Sequence, residues 1–135
     1  EDLQAISLAG LRVLLVEDNP VNQKVAVRLL DRLGVEVEVA SNGREGVEAV
    51  TARDFDLVLM DCQMPVMDGY EATREIRARG YRLPIVALTA NAMKGDAERC
   101  RAAGMDDFLS KPVRKQDLEK MLARVSFAGE LGFSP

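Results

Sequence analysis

The chain has 135 residues and a formal net charge of −4, from 18 Lys and Arg against 22 Asp and Glu. That length is enough for one domain with a single core, and the acidic balance without a basic run argues against nucleic acid as a direct partner. No apolar stretch approaches the roughly 18 residues of a spanning helix and no signal-peptide pattern opens the chain, so a cytoplasmic domain with no membrane contact of its own is predicted. Histidine is absent, which excludes mechanisms that need an internal imidazole. The two cysteines, Cys62 and Cys100, lack metal-ligand spacing and read as reduced, semi-buried thiols.

Residues 1–10 begin without methionine, show no clear period and are expected to be a linker. Leu11-Arg12-Val13-Leu14-Leu15-Val16 reads as a buried strand that ends in two acids, Glu17 and Asp18. Asn19 and Pro20 then suit the cap and first turn of a helix, with Val25, Leu29, Leu30 and Leu33 as its apolar stripe and Gly34 as its stop. Val35 to Ala40 alternates valine with glutamate, the pattern of a half-exposed edge strand. After Ser41-Asn42-Gly43 a second helix is expected to turn Val47 and Val50 inward.

Leu57-Val58-Leu59-Met60 is an uninterrupted apolar run, as in a strand covered on both faces, and it ends on Asp61 before Cys62-Gln63-Met64-Pro65. Asp68 can cap a third helix with Tyr70, Ala72 and Ile76 inside. Pro84 to Thr89 is a fourth strand ending in a hydroxyl. Ala92 to Ala103 is a weakly apolar fourth helix. Asp107-Phe108-Leu109-Ser110 is a short fifth strand leading into Lys111-Pro112. Leu118, Met121, Leu122 and Val125 stripe a last helix, and residues 126–135 are expected to be a flexible tail.

Five alternations of strand and helix specify an α/β fold, a doubly wound five-stranded parallel sheet with five helices. In such a sheet the loops after the strands open on one edge, so Glu17, Asp18, Asp61, Thr89 and Lys111 can share one pocket. Close carboxylates repel by about 4 kcal/mol per pair at a surface-like dielectric. A cluster of acids without histidine calls for a hard cation, and a site that keeps waters and shares a phosphate suits magnesium. Lysine and a hydroxyl could pair with phosphoryl oxygens, leaving Asp61 as a nucleophile able to form an acyl phosphate.

Across residues 11–125 the sequence resembles the receiver domain of two-component response regulators, a flavodoxin-like fold. The resemblance rests on Leu15-Val16-Glu17-Asp18-Asn19, on Met60 to Gly69, on Ala87-Leu88-Thr89-Ala90 and on Ser110-Lys111-Pro112. It implies that Asp61 is the phosphoacceptor, that Glu17 and Asp18 bind Mg2+ with Asp61 and the backbone carbonyl of Gln63, and that Lys111 contacts the phosphate. It further implies that Thr89 and Phe108 are the switch pair, that the Lys111-Pro112 bond is cis, and that the domain catalyses only its own phosphorylation and dephosphorylation. Asn19-Pro20-Val21-Asn22-Gln23 and Ala90-Asn91-Ala92-Met93 are similar to receivers fused to hybrid histidine kinases. The implied partner is then a histidine kinase core or a histidine phosphotransfer domain; the sequence leaves the oligomeric state open, with a monomer favoured. The alternative in the same class is a free-standing single-domain regulator. Two other classes compete less well. A phosphatase of the haloacid-dehalogenase type resembles Asp-x-Asp at its nucleophile, where Gln63 stands here, and a flavin-binding flavodoxin needs a glycine- and hydroxyl-rich phosphate cradle that these loops lack.

Overall fold

The structure is a computed structural model that describes residues 10–90 and 96–130. Its five strands, β1 (Arg12–Val16), β2 (Glu36–Ala40), β3 (Leu57–Asp61), β4 (Ile85–Thr89) and β5 (Asp107–Ser110), are all parallel and lie in the order β2-β1-β3-β4-β5. Between and after them run α1 (Pro20–Arg32), α2 (Gly43–Ala52), α3 (Gly69–Ala78), α4 (Asp96–Ala103) and α5 (Lys115–Glu130). The order reverses at β1 and β3, the switch point where a doubly wound sheet opens a crevice at its carboxyl edge.

The sheet separates two cores. Alternate strand residues Leu14, Val16, Val58, Met60, Ile85 and Ala87 pack with α2, α3 and α4, while Val13, Leu15, Leu57, Leu59, Val86 and Leu88 pack with α1 and α5. β3 is buried along its whole length, which is why it carries no alternation. Helix starts follow local chemistry. The Asn19 side chain accepts from the amides of Val21 and Asn22 ahead of Pro20, Asn42 caps α2, and Asp68 with Glu71 forms a reciprocal capping box on α3.

Some expectations shift by a residue or a turn. The inward stripe of α1 is Ala26, Leu30 and Leu33, and Val25 is 48% exposed. The small alanine meets the sheet and the larger valine is turned to the rim. β2 is an edge strand as expected, but Val39 is exposed beside the polar flank of α1, where it shares a shallow groove with Lys24, Arg28 and Asp31. α5 runs to Glu130, through residues given to the tail on sequence alone. The expected linker at 1–9, the start of the fourth helix at Ala92 with Asn91 and Met93, and residues 131–135 lie outside the described residues.

Arg77 ties the far edge of the fold together. Its guanidinium donates to the carbonyls of Gly104, Tyr81 and Leu83 and to Asp106 Oδ2, and the same carboxylate oxygen accepts from the Ile85 amide. At the site edge the tightest approach is at Gly69. Its amide donates to the Cys62 carbonyl at 3.1 Å, and a Cβ there would press into the carbonyl oxygen of Asp61. Gly69→Ala is therefore expected to lose about 1–3 kcal/mol of stability, because either α3 or the strand end has to move. An unchanged urea midpoint at constant slope would show that the approach is looser than this.

Candidate functional site

The parallel ladders continue past the strand ends and line up the loops. The Glu17 amide donates to Ala40 O at 3.0 Å, the Cys62 amide to Leu88 O at 3.1 Å and the Lys111 amide to Thr89 O at 2.8 Å. Register pairs Asp61 with Leu88 and Thr89 with Ser110. Glu17, Asp61, Thr89 and Lys111 thus stand at one edge of the sheet by backbone geometry alone.

Their side chains converge. Lys111 Nζ lies 2.9 Å from Asp61 Oδ1 and 3.6 Å from Glu17 Oε1. Carboxylate oxygens of Glu17, Asp18 and Asp61 lie within 4.8 Å of one another, the spacing of a set that could hold a metal ion. Glu17 and Asp61 are only 2% and 3% exposed, whereas Asp18 is half-buried and opens the cluster to solvent. Thr89 is 4% exposed at the tip of β4. Phe108 is partly buried on β5 against the core that holds Cys100 and Ala103 of α4. Gln63 is exposed, and its amide donates to Asp61 Oδ1 at 3.3 Å. The Lys111-Pro112 bond is cis.

Electrostatics follow from this packing. Burial raises the Glu17 carboxyl above its ordinary value; the Asn19 amide opposes the rise and the neighbouring Asp61 charge adds to it. Burial alone would lower the Lys111 ammonium, but the hydrogen bond and charge of Asp61, with the charge of Glu17, outweigh it and hold the lysine above its usual range. One ammonium thus faces three carboxyl groups. An all-oxygen set with one solvent-facing member suits a hard divalent cation that keeps part of its water shell.

Supports for this cluster come from side chains whose bonding role the sequence does not show, although they lie in the motif stretch Asn19 to Gln23. Gln23 Nε2 donates to the Glu17 carbonyl at 2.6 Å and to Ser41 Oγ at 3.4 Å, joining the loops after β1 and β2. Glu17 Oε2 accepts from the Asn19 amide at 3.1 Å and from Asn22 Nδ2 at 3.5 Å. Both amide side chains stand on the first turns of α1, where a helical reading of polar residues assigns them to solvent. Between α1 and the loop after β5, a cavity of about 120 Å³ is lined by Val25, Ala26, Leu88, Pro112 and Val113 with Glu17 and Lys111 at its charged end.

A five-stranded parallel sheet in this order, with helices on both faces and an acidic cluster at its carboxyl edge, belongs to the class of flavodoxin-like α/β domains. The chain is a member of the response regulator receiver domain family, whose model matches residues 13–123. It is 43% identical over 128 residues to hybrid signal transduction histidine kinase G of Dictyostelium discoideum, covering 91% of this chain but 4% of that protein. Among solved structures, it is 50% identical to the receiver domain of sensor histidine kinase PA1611 from Pseudomonas aeruginosa, which has a magnesium ion in its active-site cleft. That match has a TM-score of 0.81 and covers 88% of this chain and 99% of the other. The receiver domain of Saccharomyces cerevisiae Ssk1, solved with the histidine phosphotransfer protein Ypd1, is 30% identical with a TM-score of 0.83, covering 90% of this chain and 92% of that one. Among the described residues no helix is long and apolar enough to cross a membrane.

The raised Glu17 value sets a pH dependence. The folded state holds the Glu17 proton more tightly than the unfolded chain does, so Glu17 contributes stability at low pH that is lost as pH rises through its raised value. In excess chelator, Glu17→Gln is expected to gain on the parent protein as pH rises above the ordinary carboxylate range, where Lys111 stays charged. Parallel urea midpoints for the two proteins across that rise would contradict the burial of this charge.

Proposed function

We propose that Asp61 is the phosphoacceptor and that the domain receives a phosphoryl group from a histidine on a kinase core or phosphotransfer domain. The observation that carries this is the contact between Lys111 and a nearly inaccessible Asp61, inside a cluster of acids that one ammonium cannot neutralise. The chain has no histidine, so the donor imidazole comes from elsewhere.

In the reaction an Asp61 carboxylate oxygen attacks phosphorus, the bond from phosphorus to the donor ring nitrogen breaks with its electron pair on nitrogen, and the ring, protonated on its other nitrogen, leaves as neutral imidazole. The product is an acyl phosphate. Little else is required beyond alignment and charge neutralisation. Glu17, Asp18, Asp61 and the Gln63 carbonyl are suited to hold Mg2+, which when bound would offset charge on the phosphoryl oxygens. Lys111, released from its direct pairing with Asp61, follows the charge outward to one of those oxygens. The Thr89 hydroxyl donates to another. Burial of Asp61 keeps bulk water from the acyl phosphate, and the partly open Asp18 side leaves a way in.

The transfer is tested by incubating the protein with Mg2+ and a small phosphodonor, followed by intact mass and peptide mapping. One phosphoryl group on Asp61 is expected, absent in Asp61→Asn and in excess chelator. Phosphate retained by Asp61→Asn, or uptake that survives chelation, would overturn the assignment.

The same charge has to be reported outward. A phosphoryl group adds about −1.5 to −2 charges and three acceptor oxygens to the pocket. As Thr89 moves toward it, Phe108 turns into the space beneath α4 and changes the face formed by α4, β5 and α5. Thr89→Ala is expected to accept phosphate at Asp61 yet lose most of the NMR shift changes around Phe108 and α4. An undiminished response would place the signal on another route.

The parent protein is proposed to be a hybrid histidine kinase, in keeping with the kinase and sensor-kinase receivers that the chain resembles. A free-standing regulator remains the alternative within the family, and the gene sequence upstream of Glu1 distinguishes them.

A further inference from the structure

The phosphoacceptor strand is followed at once by a buried cysteine. The Cys62 amide is tied to β4 through Leu88 O and its carbonyl to α3 through the Gly69 amide, so the residue is fixed on both sides of its peptide plane. Its side chain points into the core beneath α2, α3 and α4, on the opposite face from α1 and α5. There it shares one packed, buried cluster with Tyr70 of α3 and Cys100 of α4. Cys62, Tyr70 and Cys100 are 4%, 6% and 3% exposed. Arg99, the residue before Cys100, lays its guanidinium over the Tyr70 ring at 4.3 Å and closes the cluster from outside.

This cluster is one of the contacts that seat α4. Of that helix's described side chains only Cys100 and Ala103 are buried, both small. An element held by so little apolar surface is the one that moves when a neighbour shifts. The neighbour here is the residue after Asp61. The Gln63 amide donates to Asp61 Oδ1, so an acyl phosphate on that carboxylate changes the acceptor of the amide that follows the Cys62 backbone.

We propose that Cys62, Tyr70 and Cys100 form a latch that couples the segment following Asp61 to α4, closed in the unmodified protein and loosened by phosphorylation. The latch rests on the assignment of Asp61 as phosphoacceptor and adds a connection separate from that of Thr89 and Phe108. Cys62 and Cys100 act as positioning residues: neither touches the phosphoryl group, and each acts through the backbone or helix that it holds.

Because these are the chain's two cysteines, thiol labelling reads the latch directly. The full chain is treated with an aromatic disulfide reagent in Mg2+ alone, in Mg2+ with beryllofluoride as phosphoryl mimic, and in Mg2+ with a small phosphodonor, with mass spectrometry mapping the labelled cysteine and the phosphate. Both thiols are expected to be protected in Mg2+ alone, and Cys100 to label about ten-fold faster with either phosphoryl species, within the range of ordinary coupling between sites. Asp61→Asn is expected to abolish the increase. Cys100→Ala is expected to take up phosphate normally at Asp61 while the tyrosine fluorescence change on phosphorylation is lost. Labelling that stays within two-fold while Asp61 carries phosphate would overturn the latch and leave the phosphoacceptor assignment standing. Equal acceleration in Asp61→Asn would overturn it too, since the reagent would then be reporting a different site. If no phosphate is taken up at all, the phosphoacceptor assignment falls and the latch falls with it.

Discussion

The contact on which the site depends is the one between Lys111 and Asp61, made at 2.9 Å where both groups have lost most of their water. A carboxylate that is nearly inaccessible is costly unless paired, and the lysine supplies the pair. It pairs incompletely, because Glu17 and Asp18 share the same few ångströms. An excess of negative charge is thereby stored at the carboxyl edge of the sheet, where only a cation can relieve it and where a phosphoryl group arriving with that cation finds an ammonium already in place.

Most of the remaining architecture serves to hold those groups at fixed distances. β3 is covered on both faces, so Asp61 is displayed from a strand with no freedom to slide. Gly69 lets α3 begin directly against the strand end, and Gln23 locks the two loops that flank Glu17. The far edge is stitched as firmly by Arg77, whose charge is spread over three carbonyls and Asp106. Against this rigid frame α4 stands out. Of its described side chains only Cys100 and Ala103 are buried, and Cys100 shares a cluster with Cys62, the residue after Asp61. A domain that must accept a group at one place and report it at another needs that contrast, because two-state behaviour requires one element whose seating is close to balanced.

The charge distribution also makes sense of the cavity beside α1. Val25 turns outward over a lining that is apolar except for Glu17, Asn22 and Lys111, so the approach to the charged cluster from this side runs largely over hydrocarbon. Low-polarity walls strengthen each interaction between the ionic groups they enclose.

Much was legible in the sequence because its signals are local or topological. Strand ends carrying Glu17, Asp18, Asp61, Thr89 and Lys111 can be read as one site without coordinates, since parallel strands joined by helices have every such loop on the same edge. The caps at Asn19 and Asp68 are equally local, each fixed by amides within three residues. What the sequence could not decide are the contacts between residues distant in the chain and the exact rotation of each helix. Ala26 faces inward in place of Val25 because it lies on the helical face of Leu30 and Leu33, and packing against the sheet sets that rotation. Gln23 and Arg77 look like solvated surface until the loops they bridge are brought to them. Cys62, Tyr70 and Cys100 lie on three different elements, and their meeting is settled by how α3 and α4 stack on β3. By itself the sequence determined the fold class and the chemistry at the strand tips. Tertiary structure alone decided which neighbours hold that chemistry in place, because those neighbours are chosen by packing geometry and not by any period along the chain.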